Sequence, residues 1–152
     1  MLVTIEDLKT EMYAEILTAI SRGDRDELEK QLKAAEDFAK AYLFKFDLKA
    51  LFGDAQTPPT IHDEMLIKAI KVIASYFIVR KANPNGSIEL FREDWLLMVG
   101  TEKEPGWLTD IKKGIIVPDW PLKPDDPQTG EDESQKANGV FWHSERKRTN
   151  RF

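Results

Sequence analysis

Imidazole is the side chain best suited to proton transfer and metal ligation near neutral pH, and it occurs twice here, at His62 and His143. The two lie far apart, His62 just ahead of an apolar helical pattern and His143 in an aromatic and basic stretch. No His-x3-His, His-Glu-x-x-His or Asp-x-Asp-x-Asp-Gly run accompanies either. His62 is therefore read as a surface or capping residue, and no metal site is assigned. Glu11 and Glu15 stand four apart, which puts two carboxylates on one helix face. Facing a second carboxylate helix, such a pair holds magnesium for nucleotide hydrolysis; without one it reads as a solvated face. Arg22-Gly23-Asp24 spells an adhesive tripeptide, but a turn between helices accounts for the same residues.

Gly-x-Gly-x-x-Gly, the Gly-Lys-Ser/Thr phosphate loop and Gly-x-Ser-x-Gly are all absent. With no cysteine in the chain, disulfides, thiolate zinc sites and cysteine nucleophiles are excluded. No catalytic residue and no cofactor is assigned. The pattern that asks for a partner lies between 140 and 152, where Phe141, Trp142 and Phe152 are interleaved with Arg146, Lys147, Arg148 and Arg151. Burying one such ring is worth roughly 1.5–3 kcal/mol, enough for three to anchor an arm on a protein partner. Basic residues between aromatics also suit single-stranded nucleic acid, and an inert or self-docked tail is the third reading.

These residues need a body to carry them. The chain has 152 residues, 41% hydrophobic and 32% charged, which argues for one compact unit with an appendage. Its 22 basic and 27 acidic residues leave a net charge of −5, which disfavours nucleic-acid binding by the whole surface but not by a local patch. The first residues turn acidic at once, unlike a secretory signal. No apolar run approaches the roughly 20 residues needed to cross a bilayer, so a soluble chain without a membrane partner is expected.

Periodicity predicts an all-α fold, a bundle of four to five helices around a central apolar one, with an extended C-terminal tail. Thr4-Ile5-Glu6-Asp7 reads as a capping box opening a helix over 5–20, with Leu8, Met12, Ile16 and Ala19 on its buried side. After Gly23, an acidic turn opens a second helix with the stripe Leu28, Leu32, Ala35, Ala39, Tyr42 and Phe46, widened near its end by Phe38, Leu43 and Leu51. Gly53, Pro58 and Pro59 mark a connector, after which Thr60 or Asp63 caps the central helix over 63–81. Leu66, Ile70, Ile73 and Phe77 form one apolar row on it; Met65, Ala69, Val72 and Tyr76 form a second. A shorter helix capped by Ser87 carries Leu90, Phe91, Trp95 and Met98. Residues 100–106 interrupt, a turn or two of helix follows through Trp107, Leu108 and Ile111, and Ile115-Ile116-Val117 reads as a short extended piece. Tyr42, Phe46, Tyr76, Phe77, Trp95 and Trp107 are assigned to the core. The expected organisation is a helical domain over 1–122, an acidic flexible linker over 123–139 and the aromatic and basic arm over 140–152. The 29 residues from 124 to 152 reach up to about 95 Å if extended, several times the ~15 Å radius of gyration of such a domain.

Taken in order, several short pieces resemble the head–tail connector (adaptor) proteins of tailed phages and prophages, the Mu-like small virion morphogenesis group. They are Thr4-Ile5-Glu6-Asp7-Leu8, Ala39-Lys40-Ala41-Tyr42-Leu43, Pro58-Pro59 before a long helix, Ile70, Ala74 and Tyr76 within it, and Trp107-Leu108-Thr109-Asp110-Ile111-Lys112-Lys113-Gly114. The basic ending with Asn150 and a final aromatic is similar to prophage members. The likeness runs from about Thr4 to Gly114; the 100–106 interruption and the acidic linker depart from the family's pattern. The resemblance implies a non-enzymatic subunit of a homo-oligomeric ring under the portal vertex. Its partners would be the portal protein and a tail-completion or stopper protein, with passing contact with DNA. Its place would be the virion, and the host bacterial cytoplasm during assembly. The rival expectations are a helical nucleic-acid-binding regulator using the basic tail, and a small helical hydrolase.

Overall fold

The computed structural model describes residues 2–22, 24–82 and 88–123. Seven helices and no strand occur among them, so the fold is all-α as the periodicity predicts. They are α1 (Ile5–Leu8), α2 (Ala14–Ser21), α3 (Arg25–Tyr42), α4 (Leu48–Phe52), α5 (Glu64–Ala82), α6 (Glu89–Met98) and α7 (Trp107–Lys113). The five expected helical segments become seven because the first two are each divided, and each division has a local cause.

The capping box at Thr4 forms as expected. Thr4 Oγ1 accepts from the Asp7 N–H at 3.4 Å, and Asp7 Oδ2 accepts from the Thr4 N–H at 2.8 Å. The helix it opens nevertheless stops at Leu8. The chain turns there because Glu11 reaches across to α5, where its two oxygens accept from Lys68 Nζ at 3.0 and 2.8 Å, while Lys71 Nζ donates to Thr10 Oγ1 at 3.0 Å. Helix resumes at Ala14 with its phase reset. Leu17 is buried in place of Ile16, which is 45% exposed, and Ala19 faces solvent.

In α3, Asp24 Oδ1 accepts from the Glu27 N–H at 3.1 Å, and Leu28, Leu32, Ala35 and Ala39 make the buried stripe. The expected continuation through Phe46 to Leu51 is broken by Asp47. Its Oδ1 caps a separate short helix, accepting from the N–H groups of Lys49 at 2.9 Å and Ala50 at 3.2 Å. Leu43, Phe46, Leu51 and Phe52 are buried around that corner. Asp63, not Thr60, caps α5, with Oδ1 accepting from the Leu66 N–H at 2.9 Å; the Thr60 and Ile61 N–H groups turn back to Ala50 O.

Helix α5 is the centre of the molecule, packed by α1, α2, α3 and α6. Leu66, Ala69, Ile70, Val72, Ile73, Ala74, Ile78 and Val79 are all buried, so both expected rows face protein, except Met65 at the exposed start. On α6, Phe91, Trp95 and Met98 are half-buried against the core, while Leu90 points to solvent, against its assignment to the apolar face. Ser87, expected to cap this helix, lies outside the described residues; Ile88 occupies the cap position. Of the aromatics assigned to the core, Phe46 is buried; Tyr42, Phe77, Trp95 and Trp107 pack half-buried against it, and Tyr76 lies against Trp95 with ring centroids 5.5 Å apart.

The 100–106 interruption is a closed loop, pinned by Thr101 N–H to Glu104 O at 2.7 Å and Gly106 N–H to Val99 O at 3.3 Å. After α7 the expected extended piece does not form. The Ile115 and Ile116 N–H groups both turn back to Asp110 O, leaving Ile115 and Val117 on the surface. The chain then straps back under the α3–α4 corner. Asp47 N–H donates to Pro121 O at 2.9 Å, Lys123 N–H donates to Lys45 O at 3.0 Å, and Trp120 is buried between them. Lys123, counted by composition with the linker, thus belongs to the folded body.

One buried carboxylate carries no sequence signal. Glu36 is 6% exposed on α3, accepts from the Leu2 N–H at 2.9 Å, and pairs with Lys40 Nζ at 2.9 Å. Burial pulls the Lys40 pKa down, but the Glu36 and Asp37 carboxylates outweigh it and hold it above its ordinary value. Glu36→Ala leaves the Leu2 N–H without its acceptor and Lys40 without its closest anion, a loss expected to cost about 1–3 kcal/mol. Hydrogen exchange over residues 2–8 reads it directly, with faster exchange there than in α5.

Candidate partner-binding surface

The seven residues singled out for partner binding, Phe141, Trp142, Arg146, Lys147, Arg148, Arg151 and Phe152, lie outside the described residues, as do His143 and nearly all of the expected linker. What the described body offers is a surface.

The residues weighed for chemistry are placed as follows. His62 is exposed, with Nε2 at 2.8 Å from Glu64 Oε1, a surface contact beside the start of α5. Glu11 and Glu15 do not share a helix face, since the turn after α1 separates them. Glu11 is spent on Lys68 and Lys71, and Glu15 is exposed on α2. Arg22 ends α2 in the left-handed region at φ 52°, and Asp24 caps α3, so the two described residues of the tripeptide serve the helix ends. Among the described residues no group of three or more His, Asp or Glu is placed to hold a metal ion, and no helix is long and apolar enough to cross a membrane.

Two of the surface hollows bear on binding. The first, of about 280 Å³, lies where α2, α3 and α5 meet. Within it Glu27 accepts from Lys81 and from Gln31 Nε2, and these bonds, the Lys81 bond foremost, lower the Glu27 pKa.

The second is an open groove of about 640 Å³ between α6, the 104–106 turn, α7 and Ile116. Leu96, Leu97, Pro105, Trp107 and Ile116 give it an apolar lining, and Glu93, Glu104 and Asp110 give it negative charge. Leu97 is 69% exposed, and Ile115 and Val117 stand beside Ile116 at 68% and 77%. None of the three acids is in an ion pair with a described residue. The Asp110 Oδ1 atom is buried with no hydrogen-bond partner among the described residues. Exposed apolar side chains beside acids that have no ion pair with a described residue are the composition of an interaction site. Sequence reasoning does not find this groove, because Ile115-Ile116-Val117 reads as an extended piece and Leu97 lies off the apolar stripe of α6. The available signal was three consecutive apolar residues directly after a helix-ending glycine, with no alternation to give them a buried side.

Compared with protein-family models, curated proteins and solved structures, the chain matches none.

At two exposed turns the carboxylates are held charged by hydrogen bonds. The Asp54 pKa is driven far below the usual carboxylate range by the Thr57 hydroxyl and the Gln56 and Thr57 N–H groups; the Asp7 pKa is lowered by the Thr4 N–H and hydroxyl. A free aspartate titrates near 3.9. With the folded pKa below the unfolded one, the stabilisation is fully present above about pH 4 and is lost as pH falls through the folded value. Melting temperature is therefore expected to be flat with respect to these groups from pH 7 to about pH 5 and to drop below pH 4. Asp54→Asn and Asp7→Asn variants should lose part of that acid-side slope.

Proposed function

We propose that this chain is a non-enzymatic structural protein of a tailed phage or prophage, a head–tail connector (adaptor) subunit. It forms a homo-oligomeric ring at the portal and joins head to tail. In this reading its partners are the portal protein and a tail-completion or stopper protein. It acts in the virion and, during assembly, in the host bacterial cytoplasm, and DNA passes it without being held. The observation that supports this best is an all-helical body with large apolar side chains left exposed beside the acidic groove, Leu97, Ile115 and Val117 foremost. Such a surface calls for a protein partner. The order of short sequence pieces from Thr4 to Gly114 supports the choice of family. The net charge of −5 suits a channel component that must not bind passing DNA. The arm residues Phe141, Trp142 and Phe152 act as anchors on a neighbouring subunit or the portal, with Arg146, Lys147, Arg148 and Arg151 supplying complementary charge.

Quantitative mass spectrometry of particles released by prophage induction tests this. Copies of the chain near-equal to copies of the portal subunit are expected, and absence from intact tailed particles overturns the reading. The four clustered basic residues favour a second reading, a small helical nucleic-acid-binding regulator. It predicts binding that weakens steeply with salt and is lost when those four are replaced.

A further inference from the structure

The groove between α6 and α7 and the segment 140–152 are complementary in charge and in apolar content. The groove presents apolar side chains with Glu93, Glu104 and Asp110 around them, none of which is in an ion pair with a described residue. The segment carries Phe141 and Trp142, followed by Arg146, Lys147, Arg148 and Arg151 against the single acid Glu145. Asp110 also lines the groove and has no ion pair with a described residue, so a guanidinium seated there meets a carboxylate that no other described cation holds.

The path is short. Lys123 N–H donates to Lys45 O, and Lys45 Nζ donates to Lys112 O at 3.1 Å, so one lysine side chain links the end of the described chain to the last turn of α7, the helix whose first turn forms one wall of the groove. Residues 124–139 span up to about 50 Å when extended, whereas α7 is about 10 Å long. A tether of that length holds its end at an effective concentration near the millimolar range, which favours the chain's own groove over that of another copy.

We propose that the groove is the seat of the chain's own segment 140–152, with Phe141 and Trp142 on the apolar lining and the basic residues against Glu93, Glu104 and Asp110. In the free chain the arm is thereby held on its own body, and a partner that engages it must first displace it. The inference concerns the isolated chain and does not rest on the connector reading; particle composition and arm position are read by separate experiments.

The test uses the full chain with a benzophenone amino acid in place of Leu97, illuminated at low micromolar concentration in an equal mixture of 14N- and 15N-labelled protein. The same probe at Tyr13, which is exposed but does not line the groove, serves as control. The expected result is a cross-link from position 97 to the tryptic peptide 137–146, within one isotope label and absent from position 13. F141S/W142S, which lies outside the folded body, should lower its yield about tenfold or more. E93K/E104K should lower it about threefold. Equal yield from both probe positions, survival of the cross-link in F141S/W142S, cross-links only between labels, or no cross-link to 137–146 each overturns the proposal.

Discussion

Trp120→Ala is expected to destabilise the protein by about 3–5 kcal/mol, the range for deleting a buried large aromatic. The ring packs edge-on against Phe46, with centroids 5.4 Å apart, and against Trp107 at 6.0 Å. Its Nε1–H donates to Asp63 Oδ2 at 3.1 Å, the same carboxylate whose Oδ1 caps α5. One side chain thus ties the last described segment to the α3–α4 corner, the start of α7 and the start of the central helix. Removing it leaves a cavity among three elements and unpins the strap that runs beneath them. Trp120→Phe keeps most of the ring contact and loses the indole hydrogen bond, for an expected cost of about 1 kcal/mol. Urea unfolding of the full chain separates the two. An alanine variant within about 1 kcal/mol of the parent would mean that the segment after α7 is not packed as described.

Gly100→Ala carries the second large effect. At φ +77° the residue sits in the left-handed region, and a Cβ there would lie 2.0 Å from Gly106 N and 2.5 Å from Glu104 O. These are backbone atoms fixed by the loop's own hydrogen bonds, with no flexible side-chain end to yield. Gly106 is its counterpart, since a Cβ on it would meet Leu96 O at 2.6 Å and Gly100 N at 2.7 Å. The loop closes only because both residues lack a Cβ. Gly114 is the internal control: its φ of +78° is nearly the same, and a Cβ there meets nothing within 4 Å. Gly114→Ala should therefore show the left-handed penalty alone, about 1–2 kcal/mol. Gly100→Ala should show that penalty and the clash, about 3 kcal/mol or more. Equal losses at the two positions would show that the loop yields freely. Because the loop forms one wall of the groove, the Gly100 variant should also lower the cross-link yield from position 97, whereas Gly114→Ala should leave most of it.

Much of the fold was legible residue by residue. The capping box at Thr4, the stripe on α3, the apolar rows of α5 and the helix end at Gly114 are local patterns whose physics acts within one or two turns. The two divided helices were not legible as such. The turn after Leu8 depends on Glu11 meeting Lys68 and Lys71 from another helix. Asp47 signals a cap, but only the return of Pro121 to its backbone makes that cap win over continued helix. Glu36 reads as one more surface acid until the Leu2 N–H and Lys40 are placed against it.

By itself, the sequence determined the helical class, the central position of α5, the acidic balance and the presence of a basic aromatic segment at 140–152, because composition and periodicity specify these without reference to distant contacts. Only the tertiary structure decided where the apolar surplus goes. Ile115, Val117 and Leu97 are left outside while Trp120 is taken in, a choice made by chain segments far apart in sequence competing for one core of limited volume. The groove exists because α6, α7 and the closed loop between them are held side by side by two glycines packed backbone to backbone. No pattern along the chain reports an approach of that kind.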